Sequence, residues 1–271
     1  LEQVMKIVVK IGKWLLGVIL IIYLSTSLYL YFQQENILFH PTKLSSDFQY
    51  DFDIDFEEKV IVGEDGTKIN GVLFKANNPK GLVFYLHGNA GAITTCVNAA
   101  KTYTNINYDC FVLDYRGFGK SEGEIISQNQ FYSDVEIAYD SLCKYYEEQN
   151  IIIVGYSIGT GPAAMLASKS DAKHLILLAP YFSMLDMMNN QYPFILDFLL
   201  EYKLKTFEFI PKVKFPISIF HGDADEIIYY ESSVKLTEYF NSKDELITIP
   251  DQKHGGMNVI PVYKDWLEAH F

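Results

Sequence analysis

Ile151-Ile152-Ile153-Val154-Gly155-Tyr156-Ser157-Ile158-Gly159-Thr160-Gly161-Pro162 is the stretch from which the fold is read. Four β-branched residues in succession suit a strand buried on both faces, as in the middle of a parallel sheet. A serine then stands between two glycines in the pattern G-x-S-x-G, and Ala163-Ala164-Met165-Leu166-Ala167 continues with good helix formers. Strand, sharp turn and helix in that order make a nucleophile elbow, which holds its serine in a strained conformation with Oγ above the sheet. The strand and helix backbones pass close to each other there, so the positions two before and two after must be nearly free of side chain. Gly155 and Gly159 meet that demand. The bland alternative, a glycine-rich turn with an incidental serine, leaves the flanking pattern unexplained.

The 271 residues are 49% hydrophobic and 21% charged, a globular balance rather than a disordered one. That length fits one or two domains, with a core that needs no disulfide staples. A formal net charge of −12 argues against a nucleic-acid surface. Cys96, Cys110 and Cys143 are odd in number and far apart, form no C-x-x-C, and read as buried thiols. No H-E-x-x-H, clustered His/Cys set or dinucleotide fingerprint occurs, so no metal or cofactor is implied.

Trp14 to Phe32 carries no charged residue and is long enough to cross a bilayer. Lys6, Lys10 and Lys13 precede it, and Tyr23, Tyr29, Tyr31 and Phe32 crowd its far half. A basic flank, an apolar span and an aromatic belt predict a single-pass anchor over residues 1–33, with the N-terminus cytoplasmic and the rest extracytoplasmic. The rival is a cleaved signal peptide, but the apolar run continues past Ser25-Thr26-Ser27. Residues 34–57 form a connector. In it Phe48, Tyr50, Phe52, Ile54 and Phe56 alternate with acidic residues, which predicts an extended segment with one face laid on a domain.

The domain spans 58–271. Lys59–Val62 and Lys68–Phe74 flank the turn Gly63-Glu64-Asp65-Gly66 as a hairpin. Apolar strands then alternate with helical patterns, the sign of a parallel sheet with helices on both faces. The strands read are 82–86, 110–114, 151–155, 174–178, 217–220 and 246–249; the helices are 93–103, 130–147, 161–168, 231–239 and 258–270. One insertion, about 181–214, is rich in Met, Phe, Leu and Tyr. It is either an ordinary crossover or a short helical lid that meets an apolar substrate.

A serine hydroxyl needs a base to take its proton and a carboxylate to orient that base. Where an elbow carries the serine, acid and base follow it in chain order. The acid candidates cluster in His221-Gly222-Asp223-Ala224-Asp225-Glu226, and residue types alone do not choose between Asp223 and Asp225. Only His254 and His270 lie beyond; His270 is at a fraying end, so His254 is the base. The oxyanion would meet backbone N–H groups of Ile158 and of the loop His87-Gly88-Asn89-Ala90-Gly91, with Asn89 favoured over Ala90. His87 precedes the serine and reads as a structural histidine under that loop. Arg116 reads as a structural anchor, since Gly119-Lys120-Ser121 lacks the first glycine of a phosphate loop.

HGNAG, LDYRGFGKSEG, GYSIGTGPAA, HGDADEII and KHGG together resemble the motif series of the α/β-hydrolase superfamily. Within it they are similar to a group of membrane-anchored serine hydrolases that includes protein depalmitoylases and bacterial esterases. The resemblance covers nearly the whole chain, including an anchor followed by Phe39-His40-Pro41. It implies an α/β-hydrolase fold and selects Asp225 as the acid, through H-G-x-x-D-x-x-[VI] ending at Ile228. The chain departs from the pattern at Tyr229, where proline is common, and at Gln252-Lys253-His254, where G-x-G-H is usual.

The expectation is a membrane-anchored serine hydrolase that cleaves carboxylic esters or thioesters with an apolar, small-molecule or lipid-like acyl group. Ser157, His254 and Asp225 form its triad, and Asn89 and Ile158 its oxyanion hole. Two alternatives remain: an aminopeptidase-like serine peptidase on the same fold, or a non-catalytic anchored binding protein.

Overall fold

The computed structural model describes residues 1–271. In chain order it comprises α1 (Glu2–Phe32), α2 (Gln34–Leu38), β1 (His40–Pro41), β2 (Phe56–Val62), β3 (Lys68–Phe74), β4 (Leu82–Leu86), β5 (Ala90–Gly91) and α3 (Val97–Thr104). There follow β6 (Asp109–Leu113), α4 (Gln128–Leu142), β7 (Ile151–Tyr156), α5 (Thr160–Ala167), β8 (His174–Leu178) and α6 (Met184–Gln191). The chain ends with β9 (Ile217–Gly222), α7 (Glu231–Leu236), β10 (Glu245–Ile249) and α8 (Pro261–His270).

Eight strands form one sheet in the order β10-β9-β8-β7-β4-β6-β3-β2. The pairings from β10 to β6 are parallel; β3 runs antiparallel to β6, and β2 to β3. The β2–β3 pair is the expected hairpin, with Val62 opposite Lys68. The β-branched run of β7 lies near the middle, where both faces are covered. Ile151 and Ile153 join Phe84, Leu175 and Ile219 under α4 and α5, while Ile152 and Val154 join Val83, Ile176 and Phe220 under α3 and α8. This is the α/β-hydrolase architecture, with α6 and the segment after it inserted between β8 and β9.

Several boundaries differ from the sequence reading for local reasons. The helix expected to reach residue 147 ends at Leu142, and the Tyr146 hydroxyl instead bonds the Asp109 carboxylate at 2.5 Å. The last helix starts at Pro261 rather than 258, because proline suits a first turn whose N–H has no helical partner. The connector is not wholly extended: Gln34–Leu38 is helical. Its later part keeps the expected alternation in burial, with Phe48, Tyr50, Phe52 and Ile54 turned onto the second core, although ladder pairing begins only at Phe56.

α1 is 31 residues long, about 46 Å at ~1.5 Å per residue. Its most apolar window has a mean hydropathy of 2.2 and none of it is buried. By length and composition the helix suits a membrane anchor or a signal sequence.

Arg116 ties the hairpin to the helical layer. Its guanidinium donates from Nε (2.6 Å) and a terminal nitrogen (2.9 Å) to Asp134 of α4, and also bonds Asp65 and Thr67 in and after the β2–β3 turn. Arg116 and Asp134 are both buried. Removing one partner leaves a desolvated charge uncompensated, which costs about 3–5 kcal/mol. Arg116→Met should therefore lower the unfolding free energy from urea titration of the full chain by that order; an unchanged value would mean that the pair is energetically idle.

Candidate active site

Ser157 has a φ of +53°, the left-handed region that a non-glycine residue adopts only when its surroundings force it. The force is close backbone packing. A Cβ on Gly155 would sit 2.6 Å from the Gly159 carbonyl oxygen and 2.7 Å from the Ala163 Cβ. One on Gly159 would sit 2.2 Å from the Leu86 carbonyl oxygen. With both glycines in place, β7 turns directly into α5 and the serine stands at the carboxyl edge of the sheet.

The structure brings the three widely separated residues together. The Nε2 of His254 is 3.0 Å from the Oγ of Ser157, and its Nδ1 is 2.7 Å from Oδ2 of Asp225. Oδ1 of Asp225 accepts the backbone N–H groups of Ile227 (2.8 Å) and Ile228 (2.9 Å). Burial would push the Asp225 carboxyl up, but hydrogen bonds from His221 and His254, the His254 charge and the Ile228 amide outweigh it and hold it well below the usual carboxylate range. Asp223 does something else: its carboxylate accepts the Asp251 amide at 2.7 Å, clamping the turn that leads to the His254 loop.

On the other side of the serine, Asn89 lines the cavity, and its N–H makes no intramolecular hydrogen bond. Its carbonyl accepts the His40 amide at 2.7 Å, so the β1–β5 pair fixes the loop from outside. Ala90 is exposed within that pair and does not line the cavity. Ile158 follows the serine and lines the cavity too. His87 lies beneath the loop, with Nδ1 2.7 Å from the Gly88 carbonyl; desolvation lowers its pKa to about 4, so it is neutral at pH 7.

Sequence reasoning missed three contributors. His221 is fully buried with Nε2 3.2 Å from Oδ2 of Asp225, and the Ser233 hydroxyl 2.6 Å from its Nδ1. Tyr156 donates its hydroxyl to the His254 carbonyl at 2.7 Å and stacks on the imidazole with centroids 5.7 Å apart. Both lie within quoted motifs, but nothing in their residue type announces the contact. The third is the end of the N-terminal helix, which walls the cavity.

That cavity, about 310 Å³, has Ser157 on its surface and 14 hydrophobic residues among the 18 that line it. Met184, Met187 and Met188 come from α6, Ile227 and Ile228 from the loop after Asp225, and Leu30, Ile37 and Leu38 from α1 and α2. No lining residue carries a charge. Tyr229, where a proline was the more usual residue, uses its hydroxyl to bond Asp186 of α6, and Lys235 donates to the same carboxylate at 2.8 Å. The departure from the motif thus fastens α6 to the loop that carries Asp225.

The comparisons bear on this arrangement. The family described as "Serine aminopeptidase, S33" matches residues 77–208, a span holding the elbow and the Asn89 loop but neither Asp225 nor His254. The alpha/beta hydrolase domain-containing protein 17C of Xenopus tropicalis is 32% identical over 192 residues, 69% of this chain and 59% of that protein. The alpha/beta hydrolase domain-containing protein aho-3 of Caenorhabditis elegans is 29% identical over 69% of this chain and 56% of its own length. The chain thus spans a little over half of these curated relatives. Among solved structures, the Pyrococcus furiosus esterase Pf2001 superposes with a TM-score of 0.67 at 19% identity, covering 86% of this chain and 94% of that one. Est1E of Butyrivibrio proteoclasticus, solved with ferulic acid bound, gives 0.65 at 21% identity over 78% and 96%. Fold, motif series and relatives agree on the class: the chain belongs to the α/β-hydrolase superfamily.

The Asp225 carboxyl, depressed on folding, contributes stability above its unfolded value of about 3.9, and that contribution drains as pH falls below it. Urea midpoints followed from about pH 4.5 to about pH 2.5 should fall more steeply for wild type than for Asp225→Asn, whose amide does not titrate. Parallel curves would rule out that contribution.

Proposed function

We propose that the protein is a serine hydrolase cleaving carboxylic ester or thioester bonds of substrates with an apolar acyl group. The observation that carries the reading is the Ser157–His254–Asp225 relay opening onto an uncharged, largely hydrophobic cavity. In this reading Oγ of Ser157 attacks the acyl carbonyl while Nε2 of His254 takes its proton. The Asn89 and Ile158 amides receive the developing oxyanion. Collapse expels the alcohol or thiol, which leaves with the proton held on His254, and the acyl group stays on Oγ. A water then repeats the sequence, giving its proton to His254 and releasing the carboxylic acid and free serine. Asp225 holds Nδ1–H and so presents Nε2 as the acceptor.

The matched family's description raises an aminopeptidase as a second reading. The same relay would serve it, but a free α-ammonium has no carboxylate to meet in this cavity lining, which favours acyl esters. In the anchor reading, α1 crosses the bilayer with Lys6, Lys10 and Lys13 on the cytoplasmic side, the domain beyond Gln33 is extracytoplasmic, and cytoplasmic S-acylated proteins are outside its reach. The domain limits 1–33, 34–57 and 58–271 follow from that division.

A fluorophosphonate probe should label wild type and not Ser157→Ala, and the substitution should lower turnover of a p-nitrophenyl ester by ~10⁴-fold or more with the fold intact. Rates across acyl lengths should exceed those on amino-acid p-nitroanilides. Equal labelling of the variant would end the serine-hydrolase reading, and a preference for the anilides would favour the peptidase.

A further inference from the structure

The segment between α6 and β9 runs back along α1. Tyr23 donates its hydroxyl to the Phe194 carbonyl at 3.1 Å, and Tyr31 donates to the Glu201 carboxylate at 2.7 Å. Gln34, itself buried, donates to the Leu199 carbonyl at 2.9 Å and accepts the Glu201 amide at 2.8 Å. These bonds put residue 194 beside the middle of the apolar span and residues 199–201 beside its end. From Tyr23 to Phe32 is about 13 Å of helix at ~1.5 Å per residue.

Residues 194–198 sort their side chains by direction. Ile195 turns inward at 6% exposure and lines the cavity, whereas Phe194 is 59%, Leu196 47% and Phe198 73% exposed. None of these three lines the cavity, and no core cluster holds them. They sit next to a helix whose own Ile19, Ile21, Ile22 and Leu24 are more than half exposed. A bilayer accommodates both sets at once, because the loop is bonded to the helix at a depth where water would be absent.

We propose that Phe194, Leu196 and Phe198 form a second membrane-contacting element, embedded in the leaflet beside the end of α1, and that the cavity receives its acyl chain from the bilayer there. The inference rests on α1 as a membrane span and on the hydrolase reading of Ser157. Asp197 is the one charged side chain between Tyr192 and Leu200. Its carboxylate belongs at the headgroup level, which leaves Phe194, three residues nearer the helix middle, among the acyl chains. Leu30 and Tyr31 of α1 line the same cavity as Ile195, Leu199 and Leu200 of the loop, so the wall between this element and Ser157 is uncharged and predominantly apolar.

The test uses the full chain in phosphatidylcholine vesicles containing brominated acyl chains. Two single-tryptophan proteins are compared: Trp266→Phe, which retains Trp14, and Trp14→Phe/Trp266→Phe/Phe194→Trp. Quenching of both is the expected result. Quenching of Trp14 with none from the tryptophan at position 194 overturns the second element and leaves the anchor standing, whereas quenching of neither removes the anchor reading as well. The activity arm compares Phe194→Ser/Phe198→Ser with wild type on a long-chain p-nitrophenyl ester within the vesicles and on soluble p-nitrophenyl acetate. A tenfold or greater loss confined to the bilayer substrate is expected. Equal rates on both substrates overturn delivery from the membrane, and no turnover of either by wild type indicts the hydrolase reading instead.

Discussion

Two backbones that nearly touch set the geometry of this molecule. At the elbow β7 and α5 approach so closely that Gly155 has no room for a single extra carbon, the end of β4 leaves none at Gly159, and Ser157 is left in the left-handed region as a result. The cost of that conformation, of order 1–3 kcal/mol, has to be offset by the surrounding core. The offset comes from β7 being buried on both faces and from α5 being buried along its whole length. The hydroxyl stands clear of the sheet because the sheet is packed so tightly behind it.

Around that fixed point the other groups are held by backbone contacts more than by one another. Tyr156, next to the serine, grips the main chain of His254, and Asp223 grips the turn before it. Asp225 is held by two amides and by His221 from below. The Asn89 loop is held by a two-residue strand that follows the N-terminal helices. Each of the three functional loops is therefore tied to an element outside itself, which is how loops of different origin keep hydrogen-bond distances to one another.

Much of this was legible in the sequence. Runs such as Ile151–Val154 and Leu82–Leu86 announced doubly buried strands, and the G-x-S-x-G flanks announced the elbow, because both signals are local. His254 was legible from its place in the chain, whereas Asp225 was legible only through the motif series, since residue type alone left Asp223 open. The contributions of His221, Tyr156 and Tyr229 were not legible. They depend on contacts across 4 to 98 residues of chain that leave no periodic trace. The same holds for the cavity wall: a run of apolar residues in α1 reads as a membrane span whether or not its last turn also faces a pocket.

That last turn matters for anyone preparing the domain by itself. A fragment beginning after Pro41 would keep Ser157, Asp225 and His254 and would lose Leu30, Tyr31, Gln34, Ile37 and Leu38 from the cavity lining, together with the strand that braces Asn89. Such a truncated protein would have a breached pocket. Binding measurements made on it would describe the breach, and an inhibitor optimised against it would be fitted to an opening that α1 and α2 close in the full chain.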